Sequence, residues 1–214
     1  MKKIVVIGGG NMGFTYAEGI FNAQIAEIEI IEKHAPRVEE IKAMGKMAVT
    51  DSYETIKTAD IVFLAVKPQI APTVFDEIKG LINQDQLFVS VMAGMKIKTI
   101  QKGLGVGKVI RCMPNLPASI QLGATTYTAS REVTEEEKKL TAQILASTGI
   151  AFGVSTEDAI DSTTGISGSG SAYIFYFMNA MVKAGEELGF SSKEAKSLVA
   201  QTFKGAVKLY EDND

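Results

Sequence analysis

Lys3-Ile4-Val5-Val6-Ile7-Gly8-Gly9-Gly10-Asn11-Met12-Gly13 decides how the rest of the chain is read. A short run rich in β-branched residues, the composition of a strand, meets glycines spaced G-x-G-x-x-G at Gly8, Gly10 and Gly13. Residues 11–22 that follow are helix-compatible. Gly8 lets the chain turn sharply off the strand in a conformation that a Cβ would penalise. Gly10 leaves room for a diphosphate against the backbone, and Gly13 lets the helix lie close on the strand. The helix N-terminus then presents unpaired N–H groups and a partial positive charge to an anion. Glycines so spaced mean little by themselves. Between a strand and a helix they predict a dinucleotide site over Gly8, Gly10, Asn11, Met12 and Gly13.

The composition is that of a globular chain. Its 214 residues are 46% hydrophobic and 22% charged, enough for one large domain or two ordinary ones. A net charge of −3 gives no general attraction to nucleic acid or to an anionic membrane, so neither is expected as a partner. No apolar run reaches the length of about eighteen residues that a membrane span needs. Glycines and Asn11 interrupt the first apolar run before it could serve as a signal peptide. Cys112 is the sole cysteine, which excludes an internal disulfide and points to a reducing, cytoplasmic location. His34 is the sole histidine, so a multi-histidine metal site is impossible and no metal is expected. The chemistry is expected to belong to a bound cofactor.

Ile28 to Ile31 reads as a second strand ending at Glu32, where a dinucleotide fold reads the adenosine ribose. A carboxylate there can accept from both ribose hydroxyls and repels a 2′-phosphate, which favours NADH. Lys33, His34 and Arg37 lie just beyond and could hold the 2′-phosphate of NADPH, or could simply form a solvated charged loop. A helix over 38–44, a short strand at 47–49 and a helix over 52–57 follow. Ser52, at the start of that helix, joins the expected cofactor contacts. Ala59 to Val66 is a continuous apolar run, as in a strand buried on both faces of a parallel sheet. Ala65, Val66, Lys67 and Pro68, at its carboxyl end, are expected to line the cleft, although Lys67 also reads as a surface cation that stops the strand. A helix over 72–79 and a strand over 86–91 repeat the pattern. Val91, Met92 and Ala93 would lie under a flat ring at that strand's end. A helix at 97–102 and a strand at 108–112 complete an alternation that predicts a parallel, doubly wound sheet.

Asn115 stands between Pro114 and Pro117, a polar group on a rigid turn and so a candidate substrate contact or simply the end of the sheet. Cys112 reads as a small buried apolar residue, with no histidine near it in sequence to activate it. Residues 124–129 have strand character, Thr134-x-x-Glu137 is a capping box for a helix to about 147, and 150–154 make a last strand. From Ser155 the pattern is helical. Ser155-x-x-Asp158 resembles a cap, one apolar helix spans about 173–188 before Gly189, and Ser191-x-x-Glu194 caps another over 193–210. The expected domains are therefore 1–154, dinucleotide-binding, and 155–214, helical. Ile174, Phe175, Phe177, Met178, Met181 and Val182 make the first long helix apolar over much of its surface, which predicts burial in a partner subunit.

Taken together these motifs resemble the pyrroline-5-carboxylate reductases. The resemblance runs in order through Gly8 to Gly13, Ala65-Val66-Lys67-Pro68-Gln69, Ser90-Val91-Met92-Ala93-Gly94, Arg111-Cys112-Met113-Pro114-Asn115-Leu116-Pro117 and Thr164-Gly165-Ile166-Ser167-Gly168-Ser169-Gly170-Ser171-Ala172-Tyr173. The last two motifs are the specific ones. It implies an α/β fold: an N-terminal Rossmann-type doubly wound sheet followed by an all-helical dimerisation domain, in a homodimer or a decameric ring of dimers. It also implies reduction of 1-pyrroline-5-carboxylate to L-proline with NADPH or NADH. The glycine loop would hold the diphosphate, with Ala65 to Pro68 and Val91 to Ala93 at the ribose and nicotinamide. Ser169 and Glu157 would lie by the imino acid, although Ser167 to Gly170 serves equally well as a glycine-rich helix entry. Two departures stand out. Glu32 is acidic where NADPH-using members often carry a small residue. The family also continues past Asp214 with a Thr-Ser-Pro-Gly-Gly-Thr-Thr-like substrate motif absent here, so the chain is expected to be truncated or a natural variant lacking half its substrate site.

The chemistry agrees with what the chain lacks. A cyclic iminium accepts a hydride directly, so orientation rather than a catalytic histidine or cysteine supplies most of the gain. Two rivals remain: a β-hydroxyacid-type dehydrogenase with Lys183 as its acid/base, and a non-catalytic nucleotide-binding paralogue.

Overall fold

The computed structural model describes residues 1–213. Eight strands form one sheet in the order β3-β2-β1-β4-β5-β6-β7-β8. They are β1 (Lys3–Ile7), β2 (Glu27–Ile31), β3 (Ala48–Thr50), β4 (Ile61–Leu64), β5 (Leu87–Ser90), β6 (Val109–Met113), β7 (Gly123–Ala129) and β8 (Gly149–Gly153). The chain winds outward from β1 to β3 on one side and from β4 to β6 on the other. The direction of winding reverses between β1 and β4, which puts a crevice beyond their carboxyl ends. Register brings these ends level, with Ile7 opposite both Ile31 and Leu64.

The helices α1 (Asn11–Asn22), α2 (Ala35–Ala43), α3 (Ala71–Ile78), α4 (Ile97–Leu104) and α5 (Glu135–Ala146) cover the sheet. Alternate residues of β1 feed opposite faces. Ile4 and Val6 join Tyr16, Ile20, Phe63 and Ile144 on one side, while Val5 and Ile7 join Phe75, Ile78, Phe88 and Ile100 on the other. Cys112 is buried in the first of these cores, and burial pushes its thiol far above the ordinary range, as its apolar reading requires. The capping box at Thr134 and Glu137 is formed, with the Glu137 N–H donating to Thr134 Oγ1 and the Thr134 N–H to Glu137 Oε2.

Four details differ from the sequence expectation. The sheet is not wholly parallel, because β7 runs antiparallel to β6. Residues 114–122 hold only a 3₁₀ turn, Leu116–Ile120, too little for the crossover that a parallel neighbour needs. The segment after Ser52 is a 3₁₀ helix, Tyr53–Thr58. The helix after β8, α6 (Glu157–Thr163), is capped by Thr156 rather than Ser155: the Ala159 N–H donates to Thr156 Oγ1. A π-helical turn, Thr164–Gly168, then prolongs α6 where a glycine-rich turn was expected.

The chain divides into two compact units, Met1–Gly168 and Ser169–Asp214, so that α6 belongs with the sheet. The second unit is a helical pair, α7 (Gly170–Glu187) and α8 (Ser192–Asp212). Phe177 meets Phe203 edge-on at 6.0 Å, and the capping box at Ser191 and Glu194 starts α8. No residue of α7 is buried; Tyr176 is 81% exposed and Phe177 60%. Two helices alone cannot hide such a face. No helix among the described residues is long and apolar enough to cross a membrane.

Candidate functional site

The glycine loop sits at the crevice. Gly8 follows β1 with φ +104°, and its N–H donates to Ile31 O at 2.8 Å. A Cβ on Gly8 would lie 2.7 Å from Ala65 O, and one on Gly13 only 1.9 Å from Gly8 O. Gly10, by contrast, faces open space, with nothing within 4 Å of where its Cβ would be. The loop is thus closed against the chain at Gly8 and Gly13 and open at Gly10, ahead of the α1 N-terminus. A cradle that side chains would fill, beside a helix end that favours anions, fits a dinucleotide diphosphate.

A cavity of about 390 Å³ adjoins it, lined among others by Gly8, Gly10, Glu32, Lys33, Tyr53 and Lys67. Ala65 and Val66 complete one wall. Of the other expected cofactor residues, Asn11 is exposed in the first turn of α1 and Met12 packs on the first core. Ser52 Oγ accepts from the Glu54 N–H, so it caps the 3₁₀ helix, and Pro68 opens a second 3₁₀ turn. Val91 leans on a core and Ala93 is exposed. The Met92 side chain is buried in the second core.

Tyr53 is the residue that sequence reasoning missed. Lys33 Nζ lies 4.2 Å from its ring centroid, a cation–π contact. Burial, with the charge of Glu77 second, pushes its phenol up to about 12, so it is neutral in ordinary buffers. Its position directly after the capping Ser52 was the available signal. Glu32, in turn, is not idle. Its Oε2 accepts from the Gly9 N–H and its Oε1 from the His34 N–H, both at 2.8 Å. Arg37 Nε donates to Gly9 O at 2.7 Å.

The expected substrate residues are dispersed. Asn115 Oδ1 accepts from the Ala124 N–H at 2.9 Å, which ties the 114–122 segment to β7. Glu157 Oε1 accepts from the Ile97 N–H at 2.9 Å and from Arg111 Nη1 at 3.1 Å. Arg111, only 3% exposed, also donates to Asp161 from Nη2 at 2.5 Å, and Lys96 Nζ donates to the same carboxylate at 2.7 Å. Lys96 and then Arg111 hold the Asp161 carboxyl below the usual carboxylate range. This cluster pins α6 to the end of β6 and the start of α4. Ser169 begins the second unit, directly before α7. Lys183, the acid/base candidate of the rival reading, is exposed on α7.

A doubly wound sheet with a diphosphate cradle at its switch point, followed by a helical pair with an uncovered apolar face, defines a dinucleotide-dependent oxidoreductase with a helical association region. Comparison with known proteins agrees. Residues 157–214 match the family model described as pyrroline-5-carboxylate reductase dimerisation, and residues 3–94 match NADP oxidoreductase coenzyme F420-dependent. Pyrroline-5-carboxylate reductase 2 of Pongo abelii is 36% identical over 97% of this chain and 68% of its own length. The structure of a pyrroline-5-carboxylate reductase from Coxiella burnetii matches with a TM-score of 0.91 at 32% identity, over 99% of this chain and 80% of that one. The Plasmodium falciparum pyrroline carboxylate reductase, with NADP bound, matches at 0.86 and 30%, over 100% and 80%. The chain belongs to the pyrroline-5-carboxylate reductase family.

Proposed function

We propose that the chain reduces 1-pyrroline-5-carboxylate to L-proline, the last step of proline biosynthesis, with NADPH or NADH. The observation that carries this reading is the built diphosphate cradle, closed at Gly8 and Gly13 and open at Gly10 ahead of the α1 N-terminus. Cys112 is buried with its thiol protonated, and His34 stands at the start of α2. Imine reduction needs neither, because the substrate ring nitrogen is protonated near neutral pH. When bound, the reduced nicotinamide supplies a hydride that forms the new C–H bond at the iminium carbon, and the C=N π pair becomes the nitrogen lone pair. The protein's work is to bind, orient and exclude water.

In this reading Gly8, Gly10, Asn11, Met12 and Gly13 hold the diphosphate. Glu32, Lys33 and Ser52 bound the ribose end, while Ala65 to Pro68 and Val91 to Ala93 face the ribose and nicotinamide. Asn115, Glu157 and Ser169 bound the imino acid. The first two are already committed to backbone N–H groups, which suits them to shape the pocket wall. By function the division we propose is a dinucleotide-binding part over 1–154 and a helical association and substrate part over 155–214, which counts α6 with the second part although it packs with the sheet. The chain self-associates, as its dimerisation match implies; we propose a decameric ring of dimers in the cytoplasm as the working form. The test is imine-dependent oxidation of NADH and NADPH by the purified protein. Turnover with pyrroline-5-carboxylate is expected. Cofactor binding without turnover would overturn the reading in favour of a non-catalytic paralogue.

A further inference from the structure

Glu32 and Arg37 take hold of the same residue from two sides. The Gly9 N–H donates to Glu32 Oε2 at 2.8 Å, and Arg37 Nε donates to Gly9 O at 2.7 Å, so both backbone polar groups of Gly9 end on charged side chains. Each side chain is itself fixed. Glu32 donates its backbone N–H to Thr50 O at 2.9 Å, and its second oxygen accepts from the His34 N–H. Arg37 lies over the Phe14 ring at 5.0 Å and donates from Nη1 to Glu40 at 2.9 Å. Gly9 is also packed closely on one side, since a Cβ there would lie 2.7 Å from Ile41 Cδ1 and 3.2 Å from Ile30 Cγ2.

A carboxylate that reads a ribose turns its oxygens outward to two hydroxyls. Both oxygens of Glu32 are instead turned to N–H groups of its own chain. We infer that Glu32 and Arg37 are positioning residues that clasp Gly9 and hold the diphosphate loop in its binding shape for either dinucleotide, so that Glu32 does not select against a 2′-phosphate. The inference rests on the cofactor reading above. Its physical content is preorganisation: a loop already held in shape costs less to order when the ligand arrives. It predicts a pattern that a ribose-reading Glu32 would not give. Loss of either side chain weakens both ligands alike, and the two losses are not additive because they share one peptide.

The experiment is calorimetric titration of the purified protein with ADP-ribose and with ADP-ribose 2′-phosphate, for wild type, Glu32→Gln, Arg37→Met and the double variant. Arg37→Met keeps a stem over Phe14 and removes only the guanidinium, so it remains informative should Glu32→Gln fold poorly. Each single variant is expected to weaken both ligands by about tenfold, the scale of a lost charge-assisted hydrogen bond. The ratio between the two ligands should stay within about fivefold, the reach of an exposed charge interaction. Hydrogen exchange at the Gly9 amide should quicken while amides of β5 and β6 stay protected, which a general loss of stability would not produce. Glu32→Gln weakening ADP-ribose while tightening its 2′-phosphate would overturn the inference, as would single variants that bind both ligands like wild type. Wild-type protein that binds neither ligand would overturn the cofactor reading itself, and the inference with it.

Discussion

In the stretch from Gly8 to Gly13, a Cβ on the first or last glycine would strike backbone: Ala65 O at 2.7 Å, Gly8 O at 1.9 Å. In the stretch from Gly165 to Gly170, a Cβ on Gly165 or Gly170 meets nothing within 4 Å among the described residues, and one on Gly168 meets the Met113 methyl at 2.7 Å. Similar letters thus meet opposite demands. The first stretch is glycine because strand, loop and helix converge there. The second lies in and beside a π-helical turn, a form that weakens the regular helix ladder and recurs at functional sites. Around Gly165 and Gly170 nothing among the described residues excludes a larger side chain. At Gly168 only the end of the flexible Met113 side chain would have to shift, so local packing does not demand these glycines.

The contrast can be broken by substitution. Gly13→Ala should be the most damaging change, about 3 kcal/mol or more of stability together with loss of dinucleotide binding, because the Gly8 carbonyl that its Cβ would strike at 1.9 Å is backbone and cannot yield. Denaturant unfolding and titration with ADP-ribose would show it; a variant with wild-type values for both would refute the steric account of the first stretch. Arg111→Met removes the anchor of the helix that leads into the second stretch. A fully buried pair would cost about 3–5 kcal/mol, but Glu157 and Asp161 are partly in water, so about 2 kcal/mol is expected.

The same anchor has a pH signature. Asp161 is held below its ordinary value of 3.8 by Lys96 and Arg111. Its contribution is therefore fully present above that unfolded value and disappears as pH falls through the lower folded one. The stability difference between wild type and Asp161→Asn should be constant near neutrality and shrink below about pH 4. A difference that grows with acid would show the sign to be wrong. Gly165→Ala should have the smallest effect and the opposite direction, a gain of about 0.5–1 kcal/mol in a helical segment with open space around it. If thermal melting shows a loss instead, the second stretch is as constrained as the first.

The first stretch was legible from its own residues, whereas the second was legible only as a family motif and a helix entry before α7, for physical reasons. Ile4 to Ile7 and the glycines at 8, 10 and 13 act through neighbours a few residues away, so local composition and spacing report them. The alternation of elements likewise revealed β1 to β6. The direction of β7 is another matter, because nothing in Gly123–Ala129 encodes it; only the brevity of the Leu116–Ile120 connection does. Arg111 fell inside the strand predicted at 108–112 with nothing to mark it, and it is buried because carboxylates on α6 come to meet it. Met92 looked like a cleft residue beside small neighbours, and its side chain turned to the core. Glu32 was placed correctly at the end of β2, but that its oxygens face Gly9 and His34 is a matter of rotamer, on which sequence is silent.

The uncovered face of α7 makes quantity a property of this protein. Tyr173, Ile174, Phe175, Tyr176 and Phe177 are each about half or more in water within one chain. Covering them with another copy ties folding to association, so the melting point becomes a function of how much protein is present. Dilution then acts on this chain as a mild denaturant would, and a cell that makes more of it makes each copy sturdier.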